Sequence, residues 1–261
     1  VGDLPTPLTL TKGDTVLLGA GGVPVPELLI GALSVGQELL LDDGALLIRV
    51  TENRPDAILC QVLRGGVLRS RKSIAAPGAK VYPPTLAQSD LHNIALAPSC
   101  GVTGVMLPFV RSREDLKNLR QALHNASAGH IRIFAKIENR LGAAALPNFV
   151  EEADEIVIAR GDLGNDMPLW ELPQIQKEIA ALCRERGRDF MVVTQLLHSM
   201  HHAAVPTRAE VSDIFNAVLD GASSLMLTGE TAAGDYPVQA MTYLCRTASQ
   251  ALGYLSRERS R

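Results

Sequence analysis

Apolar positions along this chain change their period once. From Thr9 to about Ser70 they fall in short runs, LLL (Leu39 to Leu41), LLIRV (Leu46 to Val50) and AILCQVL (Ala57 to Leu63), broken by DDG, RPD and GG. Short runs bounded by turn residues predict a small antiparallel β domain. Pro and Gly then crowd AAPGAKVYPP (Ala75 to Pro84), the composition of a boundary or hinge. The expected domains are therefore 1–75 and 76–261.

Past that boundary, strand-like runs alternate with helical patterns: GVMLPFV, a helix over Arg113 to Leu123, IRIFAKIE, EIVIARG, a helix over Leu172 to Arg186, DFMVVT, a helix over Arg208 to Leu219, and SLMLTGE. Repeated βα steps predict an α/β fold with a parallel sheet, and polar residues at nearly every strand end point to part of a (β/α)₈ TIM barrel. Ile175, Ile179, Leu182 and Cys183 form one apolar helix stripe, and Val211, Ile214, Phe215, Val218 and Leu219 another. Gly187 and Gly221 stand where left-handed C-caps are wanted, and Thr207 with Glu210 spells a capping box.

Two of the strand-like runs end abruptly in acid. AKIEN (Ala135 to Asn139) and IVIARGDLG (Ile156 to Gly164) place Glu138 and Asp162 one strand-plus-helix unit apart, so on consecutive parallel strands both carboxylates emerge at the same C-terminal edge. That is a divalent-metal site in outline. Lys136 precedes Glu138 by two positions and shares its strand face, which brings a cation to the two carboxylates. Thr194 closes the strand DFMVVT, and Gly161 and Asp162 open a turn into a helix, where backbone N–H groups can receive a carboxylate. The pair His198 and His202 in HSMHH shares a helical face, yet no third metal ligand is apparent, so a solvated or subunit-facing cluster is expected. GAGG near Gly19 lacks the strand and helix of a nucleotide-binding fingerprint.

Composition narrows the class. With 261 residues, 46% hydrophobic, 20% charged and a net charge of −3, the chain reads as a soluble globular protein with no support for nucleic-acid or membrane-surface binding. Four scattered cysteines without a CxxC pair argue against a disulfide framework or zinc site and fit a cytoplasmic protein.

The runs AKIENRLGAAALPNF, IVIARGDLGNDMP, VVTQLLHSM and PTRAEVSDIFNAVLDGASSLMLTGETAAGDYPVQA, in this order, closely resemble the pyruvate kinase family, and LTKGDTV, VGQELLLDDGALLIRV and GGVLRSRKSIAAPG look like its small β lid domain. The resemblance implies a partial TIM barrel, strands four to eight, with an inserted small antiparallel β-barrel lid. It implies phosphoryl transfer from phosphoenolpyruvate to ADP, giving pyruvate and ATP. Glu138 and Asp162 would bind Mg²⁺ or Mn²⁺, and Lys136 would neutralise charge on the phosphoryl group and the enolate. Thr194 would help position the group that protonates the enolate carbon, while Gly161 and Asp162 would take the substrate carboxylate. On the lid, Lys72 would approach nucleotide phosphates and Asp43 would face the cleft. By the same resemblance the first three barrel strands, a phosphate-holding arginine, the K⁺ ligands and part of the adenine pocket lie ahead of Val1, and a C-terminal domain lies beyond about residue 250. A homo-oligomer stays open.

The sequence departs from the family at Pro108, where a small hydroxyl residue is usual, at Ala75 and Ala76, where a polar residue is usual, and at His198, where an acid is usual. Two alternatives follow: a non-catalytic paralogue or fragment that keeps the fold, and a metal-dependent enolate lyase or aldolase on the same barrel.

Overall fold

Leu46, Ile48 and Val50 point one way and Arg49 and Thr51 the other, so one face of this strand is buried and the other wet. The same alternation recurs over Glu38–Leu41, where Leu39 and Leu41 are buried. The computed structural model describes residues 1–79 and 83–258, and the chain divides into two units, 1–84 with 165–168, and 85–164 with 169–261. The hinge expected over 75–84 lies in part on residues 80–82, outside the described residues.

The first unit holds β1 (Leu8–Leu10), β2 (Thr15–Gly19), β3 (Glu38–Leu41), β4 (Leu46–Asn53), β5 (Ala57–Arg64), β6 (Gly66–Leu68) and β7 (Ile74–Ala75). Antiparallel pairing gives a five-stranded sheet in the order β2-β5-β4-β3-β7 and a separate ribbon of β1 and β6. Leu18, Leu39, Leu41, Leu46, Ile48, Ile58, Cys60 and Leu68 fill its core. Pairing among the described strands does not close into the expected barrel. The chain leaves β5 at Gly65 and pairs with β1 instead, passing so near the Leu10 carbonyl that a Cβ on Gly65 would stand 2.2 Å from that oxygen.

The second unit is α/β. After α1 (Gln88–Leu96), β8 (Gly104–Leu107) leads into α2 (Arg113–Asn125), and β9 (Arg132–Ile137) into α3 (Arg140–Ala145). Then come β10 (Glu155–Ala159), α4 (Arg160–Asn165), α5 (Leu172–Glu185), β11 (Phe190–Val193), α6 (Arg208–Leu219), β12 (Ser224–Met226), α7 (Gly229–Ala232) and α8 (Pro237–Glu258). The five strands pair in parallel in the order β12-β11-β10-β9-β8. β10 lies at the centre and is buried at every position, which is why EIVI reads as an unbroken apolar run after its first residue. The buried Glu155 accepts a hydrogen bond from Ser224 Oγ of β12, although β11 lies between the two strands. Side chains from alternate strands meet this way only if the sheet curls toward them.

The expected helices form, with two differences of face. On α5 the buried residues are Gln176, Ile179, Ala180 and Cys183, while Ile175 and Leu182 are only half-buried. The stripe is turned because Gln176 is drawn inward by polar partners, its Nε2 donating to Asp220 Oδ2 at 3.4 Å. On α6, Ile214, Ala217 and Val218 are buried, while Phe215 is half-buried against the Tyr254 ring, 5.9 Å between centroids. Gly187 and Gly221 adopt positive φ, 59° and 94°, as C-caps. All four cysteines are free, and burial pushes the Cys60 and Cys183 thiols up to about 12, leaving both inert at neutral pH.

Candidate functional site

At the C-terminal end of β9 the chain sets Lys136 and Glu138 on one face. Lys136 Nζ lies 2.6 Å from Glu138 Oε1, with the carboxylate side chain 1% exposed and the lysine 24%. Glu138 Oε2 accepts the Phe109 N–H at 2.7 Å, so both oxygens of this buried carboxylate are engaged. Phe109 is held at φ 52°, an unusual conformation for an aromatic residue, directly after Pro108, which has no N–H to offer.

The next residues brace this corner. Asn139 caps α3 by accepting the Gly142 N–H at 2.7 Å. A Cβ on Gly142 would stand 2.2 Å from the Val110 carbonyl oxygen, so only glycine lets α3 lie against the loop that carries Phe109. The spacing KIENRLG therefore carries a packing requirement together with its charges.

The ends of β10 and β11 meet beside it. Asp162 lies in the first turn of α4. The Gly161 N–H donates to Thr194 Oγ1 at 2.8 Å, and that hydroxyl donates to the Val193 carbonyl at 2.7 Å. Gly161 thus has an internal partner for the N–H that sequence reading offers to a substrate carboxylate. Thr194 and Gln195 are both left-handed, at φ 69° and 54°, a costly turn for a β-branched residue.

Glu138 and Asp162 supply hard carboxylate oxygens, the donor type that suits Mg²⁺ or Mn²⁺. Among the described residues no group of three or more His, Cys, Asp or Glu side chains is disposed to hold a metal. An ion on these two carboxylates would complete its shell with oxygens from outside the protein, as Mg²⁺ commonly does.

Lys72 and Asp43 belong to the first unit, on two turns that fasten to each other. Lys72 Nζ pairs with Asp42 Oδ1 at 2.8 Å, and Ser73 Oγ donates to Asp43 Oδ1 and accepts the Asp43 N–H, both at 2.7 Å. The DDG turn takes positive φ at all three residues.

Several residues escaped sequence reasoning. Arg160 is buried, its Nη1 at 2.7 Å from Asp213 Oδ2 and its Nη2 donating to the Thr194 carbonyl at 2.9 Å. Glu230, 1% exposed, accepts N–H groups from Leu197 and Thr228 at 3.3 and 2.9 Å and so ties together the loops after β11 and β12. A lone acid inside TGETAAG signals burial only through its small neighbours. Glu210 does more than cap α6: its carboxylate also accepts the N–H and hydroxyl of Ser199, at 2.7 and 2.6 Å. Burial pushes its carboxyl up, but these bonds and those from Thr207 outweigh it and hold the group below its ordinary range. His198 and His202 are exposed, with His202 Nδ1 3.0 Å from Asp235 Oδ2.

A family model described as "Pyruvate kinase, barrel domain" matches residues 23–241. A pyruvate kinase of Geobacillus stearothermophilus is 41% identical over 82% of this chain and 37% of its own length. One of Aeropyrum pernix is 38% identical over 94% of this chain and 54% of its own, and one of Chlamydia pneumoniae 36% identical over 92% and 52%. The chain thus spans about half the length of such relatives, or less. No helix among the described residues is long and apolar enough to cross a membrane. The match covers both the antiparallel unit and the parallel sheet whose strand ends gather Lys136, Glu138, Asp162 and Thr194, and on that breadth the chain belongs to the pyruvate kinase family.

Proposed function

We propose that this chain carries the phosphoryl-transfer machinery of a pyruvate kinase, moving phosphate from phosphoenolpyruvate to ADP. The observation that carries the reading is the Lys136–Glu138 pair, its carboxylate buried at the end of a strand that neighbours the one leading into the Gly161–Thr194 bridge. The curled five-stranded sheet would be part of a (β/α)₈ barrel, with the antiparallel unit as an inserted lid. Family membership favours neither the paralogue nor the aldolase alternative.

In this reading the O–P bond of the enol phosphate breaks, with its electron pair left on the enol oxygen, as a β-phosphate oxygen of ADP bonds to phosphorus, and the enolate left behind takes a proton at its methylene carbon. Glu138 and Asp162 would hold Mg²⁺ or Mn²⁺, which supplies neutralisation of phosphoryl and carboxylate charge when bound. The ammonium of Lys136 faces the charge that builds on the phosphoryl and enolate oxygens, in a fixed orientation that needs no reorganisation during reaction. A substrate carboxylate that takes the Gly161 N–H displaces the Thr194 hydroxyl, which is then available to orient the proton donor. Lys72, released from Asp42, would meet nucleotide phosphate, and Asp43 would face the nucleotide side. None of these residues is assigned to K⁺. The working compartment would be the cytoplasm.

A lactate-dehydrogenase-coupled assay of the natural full-length protein tests this. Divalent-dependent turnover that collapses on Lys136→Met is expected; a folded protein that binds Mg²⁺ yet turns over neither substrate would overturn the reading.

A further inference from the structure

Arg160 has no part in the chemistry just described, yet it is the least economical residue of the site. Its side chain is 10% exposed, and its Nε is buried with no hydrogen-bond partner. A buried guanidinium with an unmet N–H carries a desolvation cost that its other bonds must offset. Those bonds diverge. Nη1 reaches Asp213 on α6 and, at 3.5 Å, Gln176 Oε1 on α5, while Nη2 reaches the Thr194 carbonyl at the end of β11.

We propose that Arg160 is a positioning residue that fixes the left-handed Thr194 turn and thereby aims the Thr194 hydroxyl. Three hydrogen bonds hold this turn: Arg160 Nη2 to the Thr194 carbonyl, Gly161 N–H to the Thr194 hydroxyl, and that hydroxyl to the Val193 carbonyl. The first two come from consecutive residues, so the start of α4 grips Thr194 by backbone and side chain at once. Release of the carbonyl lets the peptide after Thr194 rotate out of the left-handed region, toward which a β-branched residue has no preference. The hydroxyl then swings with it. A planar fork can face Asp213 and the Thr194 carbonyl together; an ammonium at the end of a lysine has no such fixed pair of directions. A plain ion pair sealing α6 to the sheet would need Asp213 alone, and the bond to Thr194 would be incidental.

The kinetic arm of the test rests on the phosphoryl-transfer reading; the exchange arm does not. In the natural full-length protein, Arg160→Lys is expected to lower kcat by about 100-fold with the KM for phosphoenolpyruvate changed less than about threefold, because misplacing one group costs rate more than binding. Combined with Thr194→Val it should add little further loss, since both changes remove the same aimed hydroxyl. Amide exchange over 190–197 should quicken in Arg160→Lys while that over α6 keeps its wild-type rate. Asp213→Asn, which leaves the bond to Thr194, should retain protection at 190–197 and serves if the lysine variant fails to fold. Wild-type exchange at 190–197 in Arg160→Lys, loosening of α6 to the same degree, or loss of turn protection in Asp213→Asn would each overturn the proposal. An inactive wild-type protein would count against the phosphoryl-transfer reading alone, with the exchange arm still deciding this one.

Discussion

Lys72–Asp42 and Lys136–Glu138 are the same chemical pair at nearly the same distance, 2.8 and 2.6 Å, in two different settings. In the antiparallel unit the lysine is 38% and the carboxylate 21% exposed; in the parallel unit the values are 24% and 1%. Water and salt compete for the first pair, and exposed pairs contribute about 0–1 kcal/mol. Removal of the second lysine strands a buried carboxylate, whose second oxygen is already committed to the Phe109 N–H. Burial of the acid, more than separation of the charges, decides what each lysine is worth.

The largest expected effect follows directly. Lys136→Met should lower stability at neutral pH by about 3–5 kcal/mol, the usual penalty for leaving one partner of a buried pair uncompensated. Urea unfolding reads this, and a second change, Glu138→Gln, should restore most of the loss by removing the stranded charge. A double variant no more stable than the single one would break the comparison, because packing of the lysine stem would then be the cause. Turnover of the natural protein should fall by about 10²–10³ as well, the scale of losing one electrostatic contact to the reacting group.

Gly142→Ala tests the brace around the same pair. The added methyl would overlap the Val110 carbonyl at 2.2 Å, forcing α3 and the β8–α2 loop apart. Overpacking of this kind costs about 1–3 kcal/mol. Amide exchange at Phe109 should quicken, since its N–H loses alignment with Glu138. Unchanged protection there would mean that the loop yields without disturbing the pair.

These residues also mark how far the sequence could be read. Strand periodicity put Lys136 and Glu138 on one face, and the parallel βα pattern put Asp162 and Thr194 at the same sheet edge, because both follow from local geometry. The left-handed turn at Thr194 left no such trace: no glycine stands there, and the turn is held by Arg160, whose neighbours come from α5, α6 and β11. Gln176 misled for a related reason, since a polar residue on a buried face is legible only with its partners in view. Helix α8 escaped as well. Its buried face, Ala240, Leu244, Thr247 and Ala251, is mostly small, while large apolar residues such as Val238 and Met241 stand exposed, so the stripe is blurred.

Glu210 sharpens the comparison from a third side, as a half-buried carboxylate held by hydrogen bonds. Thr207→Ala, which removes one of those donors and the cap of α6, should cost about 1 kcal/mol. Burial acts to raise the Glu210 carboxyl, but bonds from Ser199 and Thr207 win and hold it below its ordinary 4.5. A carboxyl lowered in the folded state stabilises above its unfolded pKa, and that contribution is lost as pH falls toward the folded one. Urea midpoints measured between about pH 6 and pH 3.5 should therefore drop more in the wild type than in Glu210→Gln. Equal slopes would mean that these bonds do not favour the charged form.

The smallest effect is expected at Lys72. The DDG turn it touches is held independently by the two Ser73–Asp43 bonds, and Asp42 retains access to water once the lysine is gone. Lys72→Met should therefore change stability by less than about 1 kcal/mol, and that difference should shrink further in high salt, where an exposed pair is screened. Weakened ADP binding with stability intact would locate the function of this lysine in the ligand and leave its fold contribution negligible. A stability loss as large as that of Lys136→Met would break the comparison, because 21% exposure at Asp42 would then rescue the acid no better than 1% does at Glu138.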